Sequence, residues 1–302
     1  MPLIDMLLAI LGALTLVFVV QLGRRWLRDP VRPRLEGVAL SAVANFFDAL
    51  GIGSFAPSTA YLKIRRLTPD ELIPSTMIAG YTIATVTEAF VYITSIVVDP
   101  VLLVASILAS SVGAVAGVIL APRLPVRAIQ TTIGVGLLIA ASLYALSNLG
   151  LMPGGGTTTA LPPSGLALVV AVSFALGILT NLGIGSFAPT LILLSLLGMD
   201  PRAAFPIMMG SAAFIFVASA TTIVRTRPLD LSLVGGMAIG GAPAVLLAAY
   251  LIKSLPLHAL RWGVVVVVAY AAVLMLRSAI RSRRRAGDPA APVGPAVQAI
   301  EP

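Results

Sequence analysis

The chain has 302 residues, of which 58% are hydrophobic and 11% charged, with a net charge of +8 and a mean hydropathy of +1.03. A soluble domain carries about 25% charged residues, so a water-covered globule is excluded, and the roughly ten-residue alternating strands of a membrane β-barrel are not seen. There is no cysteine, and the one histidine, His258, falls in a polar loop, which removes disulfides, thiolate metal sites and most zinc or triad chemistry.

The elements follow in chain order. An apolar run at 3–23 lacks a basic leader and a cleavage site and reads as a retained span. A basic loop at 24–36 leads into an interrupted apolar segment, 37–62, which contains the phrase Gly-Ile-Gly-Ser-Phe-Ala-Pro at 51–57. Full spans are expected at 73–98, 101–121 and 126–148, each near the 20 residues needed to cross about 30 Å of hydrocarbon. The stretch 149–164 is uncharged and rich in Gly, Pro and Thr, and reads as a linker. A second interrupted segment, 165–197, repeats the same seven letters at 183–189. Spans at 203–224, 231–251 and 260–277 follow. The tail beyond them turns basic and then Pro/Ala-rich, a disordered composition.

The phrase is one landmark of a longer duplication. Pro57, Pro69 and Pro74 recur as Pro189, Pro201 and Pro206, 132 residues on, and "RLPVR" at 123–127 is echoed by "SLPLH" at 254–258. The expected organisation is an extra N-terminal helix and loop (1–35), a first repeat (36–148), the linker (149–164), a second repeat (165–278) and the tail (279–302). If both interrupted segments enter and leave the membrane on one side, 17 of the 20 Lys and Arg residues share a face; if both cross, the split is 12 to 8. The concentration of Lys and Arg in cytoplasmic loops favours the re-entrant arrangement, which leaves three spans per repeat and inverts one repeat against the other. The expected fold is therefore an all-α polytopic membrane protein of two inverted repeats, each a broken, re-entrant helical segment plus three transmembrane helices. Its C-terminus lies in the cytoplasm and its N-terminus outside.

Each phrase has the chemistry of a helix break. Gly51 and Gly53, like Gly183 and Gly185, permit unusual backbone angles. Ser54 and Ser186 suit an N-cap, and Pro57 and Pro189 fall where a first-turn proline loses no hydrogen bond. Backbone freed at membrane depth must face protein or a wet cavity, and a new helix start presents N–H groups and a positive dipole end, suited to an anion. The expected site is Gly51, Gly53, Ser54 and Phe55 facing Gly183, Gly185, Ser186 and Phe187, with Asn45 and Asn181 alongside. The competing reading, a packing kink that admits a neighbouring helix, explains one phrase as well as a site does, but two identical phrases in inverted repeats less well. Glu88 and Asp48 are the intramembrane acids, costly there and hence candidates for coupling to a proton or sodium ion, or for gating. Position 132 residues on is Ala220 for Glu88 and Thr180 for Asp48.

Two halves, each opening on a Gly-x-Gly phrase that ends in proline (Gly51-Ile52-Gly53 with Pro57; Gly183-Ile184-Gly185 with Pro189), together with "GMDPRAAFPIMMGSAAF" at 198–214, resemble the TauE/SafE family of sulfite exporters over roughly residues 36–278. The resemblance implies a carrier of a small sulfur-containing or organic anion, such as sulfite, sulfoacetate or a related sulfonate, in a bacterial inner membrane. Many members continue the phrase with further glycines where this chain has Ser-Phe, a difference that falls on the pocket. No cofactor, metal or nucleic-acid partner is expected. The partners are the anion, the bilayer and a coupling ion, with homo-oligomerisation left open. A passive anion channel of the same fold is the alternative. An enzyme is not expected, since one loop histidine and two isolated acids make a poor catalytic set.

Overall fold

The computed structural model describes residues 2–50, 53–120, 158–180 and 186–254, with scattered positions in 125–149 and 262–280. Nine α-helices lie in the continuous segments: α1 (Pro2–Arg28), α2 (Leu35–Ala49), α3 (Phe55–Arg65), α4 (Ile73–Ser95), α5 (Pro100–Leu120), α6 (Pro163–Thr180), α7 (Phe187–Leu196), α8 (Ala204–Thr226) and α9 (Leu231–Ser254). Six helices, α1, α4, α5, α6, α8 and α9, are long and apolar enough to cross a membrane. The protein is an all-α, multi-pass membrane protein. The expected spans at 126–148 and 260–277 are described only in part, and the positions described within them are helical.

The duplication is visible element by element. Phe55 opens α3 and Phe187 opens α7; short 3-10 turns at Asp70–Leu72 and Pro201–Ala203 precede α4 and α8; and α5 has its counterpart in α9. The packing repeats too. The strongest pairs are α2 on α9 and α5 on α6, which exchange under the repeat, while α4 packs on its own counterpart α8. Both exchanged pairs approach backbone to backbone. A side chain at Gly240 would run into the Val38 carbonyl, and one at Gly113 into that of Phe174, so these crossings need glycine, as small residues serve membrane helix pairs generally.

Hydrogen bonds fix how the broken segments run. At 1.5 Å per residue, the 15-residue α2 and 11-residue α3 are about 22 and 16 Å long, and neither crosses alone. The Arg65 Nε and the Tyr61 hydroxyl both donate to Glu36 Oε1 at 2.8 Å, and Arg34 Nη1 donates to the Leu67 carbonyl at 2.7 Å. The start of α2 and the end of α3 therefore share a face, and the pair is a re-entrant hairpin. The second hairpin, α6–α7, closes likewise: Thr158, just before α6, pairs with Met199, just after α7, through Thr158 N–H to the Gly198 carbonyl (3.4 Å) and Asp200 N–H to the Thr158 carbonyl (2.9 Å). α6, at 18 residues and about 27 Å, is long enough to reach most of the way across before its chain returns.

The two hairpins open on opposite faces. At the start of α4, Ser75 Oγ donates to the Pro228 carbonyl, the Asp230 N–H donates to Thr76 Oγ1, and Asp230 pairs with Arg34. Beyond its other end, the Asp99 N–H donates to the Thr159 carbonyl. The 23 residues of α4 separate these ends by about 35 Å. The first hairpin thus opens on a face that carries Arg34, Lys63, Arg65 and Arg66, and to which Arg25 of α1 is tied through the Val224 and Arg227 carbonyls. The second opens on a distal face with Asp99, Asp200 and Arg202.

Candidate functional site

Asp48 ties the two sides of the first break together. α2 ends at Ala49, Gly53 turns the chain with a φ of +89° that only glycine adopts freely, and α3 begins at Phe55. Ser54 stands at the N-cap position, but its hydroxyl makes no capping bond. Instead Asp48 Oδ2 accepts from the Ser54 hydroxyl at 2.8 Å and Asp48 Oδ1 from the Ser54 N–H at 3.1 Å. This corrects the expected capping by Ser54. The buried Ser54 N–H at the positive dipole end of α3 already has an anionic partner from the same chain, and Asp48, a coupling or gating candidate by sequence, closes the break structurally.

Asn45 lies one turn earlier, fully buried. Its Nδ2 donates to the Ser41 carbonyl and Oγ, both at 2.9 Å, while Ser41 Oγ donates to the Met237 carbonyl of α9 at 2.7 Å. Asn45 Oδ1 has no hydrogen-bond partner among the described residues. Phe55, 37% exposed, packs edge-on against Tyr81 and against Phe216 of α8, with centroids 6.0 and 5.5 Å apart.

α4 supplies the wall opposite this break. Tyr81 shares a 2.6 Å hydrogen bond with Ser58 of α3, and the Tyr92 hydroxyl donates to the Ala49 carbonyl at the end of α2 (2.9 Å). Tyr81, Thr85, Glu88 and Tyr92 are spaced as one face of a helix, so the two tyrosine contacts place Glu88 against the break between them. Glu88 is 0% exposed, and neither carboxyl oxygen has a hydrogen-bond partner among the described residues. A cavity of about 350 Å³ opens toward the distal face; its wall is mostly apolar, with Val91, Ile96, Val97, Ala203 and Ala249, and also carries Ser95, Thr159, Asp200 and Arg202 and reaches Tyr92.

The second break is the less symmetrical partner. Ser186 again occupies the N-cap position without a side-chain capping bond, and α7 starts at Phe187. Thr180 stands where the first repeat has Asp48, and its hydroxyl donates to the Gly177 carbonyl at 2.6 Å. No carboxylate corresponds to Asp48 there. Gly51, Asn181, Gly183, Gly185 and the side chain of Phe187 lie outside the described residues.

The structure therefore brings Asn45, Asp48, Ser54, Phe55 and Glu88 to one break. The partners Ser41, Ser58, Tyr81 and Phe216 were not singled out by sequence. Tyr81 could have been found from its helical spacing to Glu88; Ser58 and Phe216 carry no such signal. No family model, curated protein or solved structure matches the chain.

Proposed function

We propose that the chain is a secondary transporter of a small sulfur-containing or organic anion, such as sulfite, sulfoacetate or a related sulfonate, working by alternating access between its two hairpins. The observation that carries this reading is the pair of broken-helix hairpins entering from opposite faces, the arrangement in which transporters build substrate sites at the membrane midplane. The likeness of both phrases to the sulfite exporter family gives the substrate class.

The charge of the two breaks then divides their roles. Asp48 fills the start of α3, so an anion there would meet a carboxylate. Ser186 and the first amides of α7 have no such acid and form the better anion site. The face carrying Arg34, Lys63, Arg65 and Arg66 is assigned to the cytoplasm, in a bacterial inner membrane, and the cavity at Tyr92 then opens outward. The test is uptake of labelled sulfite and sulfoacetate into proteoliposomes. Saturable flux above empty liposomes is expected, with Ser186→Ala raising the half-saturating concentration more than Ser54→Ala does. No flux of either anion overturns the reading, and flux without saturation points to a passive channel.

A further inference from the structure

We propose that Glu88 is the transporter's proton-carrying group, loaded from the distal face past Tyr92. The site itself stands on geometry; only the statement that its proton moves with an anion rests on the transport reading above. Glu88 is completely buried, and neither oxygen has a hydrogen bond among the described residues. Asp48, the acid nearest it across the break, is by contrast held by Ser54 through both oxygens. An ionised Glu88 would have no donor and no cation among the described residues to offset its desolvation, and it would face a second carboxylate.

The described elements packed on α4 supply no counter-charge at this depth. α5 has no ionisable residue at all. α8 has only Arg225, in its last turn, and α9 has Tyr250, exposed, and Lys253, near its end. Asp5, Arg24, Arg25 and Arg28 of α1 lie in its end turns, and Glu36 of α2 and Tyr61, Lys63 and Arg65 of α3 lie at the basic face. A metal cation needs a shell of several oxygens. Thr85 is spent on the Tyr81 carbonyl and the Ala49 carbonyl on Tyr92, and no group of three acids or histidines exists among the described residues. A proton needs only the one carboxyl.

The route is short. The distal cavity ends at Tyr92, one helical turn from Glu88, and the Tyr92–Ala49 hydrogen bond closes the gap between them. A proton from cavity water adds to a carboxylate oxygen of Glu88 and leaves by the reverse step. The second repeat has Ala220 at the matching position, so the device is single.

Two measurements test this. Infrared spectra of the purified full chain at neutral pH should show a carboxylic-acid carbonyl stretch that Glu88→Gln removes, that Glu88→Asp shifts, and whose deuterium exchange Tyr92→Phe accelerates. In proteoliposomes, an imposed pH gradient should drive sulfite accumulation in the wild type. Glu88→Gln should lose that response while keeping sulfite-for-sulfite exchange. A band unchanged in both Glu88 variants, or gradient-driven accumulation retained in Glu88→Gln, overturns the proposal. Absence of sulfite flux in the wild type would instead overturn the transport reading, and the infrared band would still decide the proton site.

Discussion

Arg66 ends α3 in the left-handed conformation, with φ of 50° and ψ of 42°, and it is the one non-glycine residue with positive φ among those described. The Leu67 N–H reaches back to the Leu62 carbonyl, and the Arg66 N–H to that of Lys63, which is the hydrogen-bond pattern of a glycine-terminated helix. At the equivalent end of α7 the left-handed residue is Gly198, with φ of 84°, and the Met199 N–H bonds the Leu194 carbonyl in the same way. A side chain in this conformation costs roughly 1–2 kcal/mol, partly offset by the greater freedom glycine has when unfolded. Arg66→Gly should therefore stabilise the protein by about 0.5–1 kcal/mol, read as a higher midpoint of thermal unfolding in detergent. The residue scale is also where sequence reasoning reached least far. Glycine and serine at 53 and 54 announce a break, but the partner of Ser54 is six residues back, across a left-handed turn, and nothing in the spacing shows that Asp48 closes onto it.

The elements themselves were legible. Hydropathy gave the spans to within a few residues at α4, α5, α8 and α9, because apolar length is what the bilayer demands of a helix. The division of 37–62 into α2 and α3 follows from the glycines. Two helix starts are also written locally: Asp99 accepts from the Leu102 N–H and Asp230 from the Leu233 N–H, an Asp N-cap recurring in both repeats ahead of α5 and α9. The first hairpin is fastened at its mouth by Glu36, which takes bonds from both Arg65 and Tyr61. These bonds to Arg65 first, and then to Tyr61, hold the Glu36 carboxyl below its ordinary value of 4.5. A depressed carboxyl contributes stability above its unfolded pKa and loses it as pH falls through the folded value. The hairpin mouth should thus be fully fastened at neutral pH and loosen in acid, below about pH 4.5. Limited proteolysis of the 66–72 loop should rise over that window in the wild type and be pH-independent in Glu36→Gln, apart from the protease's own dependence measured on an unfolded substrate.

At the scale of the whole molecule, the repeats match in architecture and differ in charge. The fastening of the first hairpin has no equivalent in the second: Arg34, Glu36 and Arg65 correspond to Leu166, Leu168 and Leu197, and the second mouth closes instead through backbone pairing at Thr158 and Met199. One face is thus held by side-chain ion pairs and the other by main-chain bonds beside an open cavity. The duplication and the charge count together made the inverted arrangement readable, because orientation is set by where Lys and Arg fall and not by contacts. The asymmetry between the breaks was readable only as Asp48 and Glu88 lacking counterparts. The inverted arrangement has a direct check, since the chain contains no cysteine and single cysteines can be introduced without a reactive background. Lys63→Cys and Glu71→Cys, flanking the mouth of the first hairpin, should both react with a membrane-impermeant maleimide from the cytoplasmic side alone. Thr159→Cys, at the mouth of the second, should react from the opposite side alone. If α2 and α3 together crossed the membrane, a cysteine at Arg34 and one at Lys63 would be labelled from opposite sides. Labelling of both from one side, with Thr159→Cys reached only from the other, is the pattern that two re-entrant hairpins of opposite orientation require.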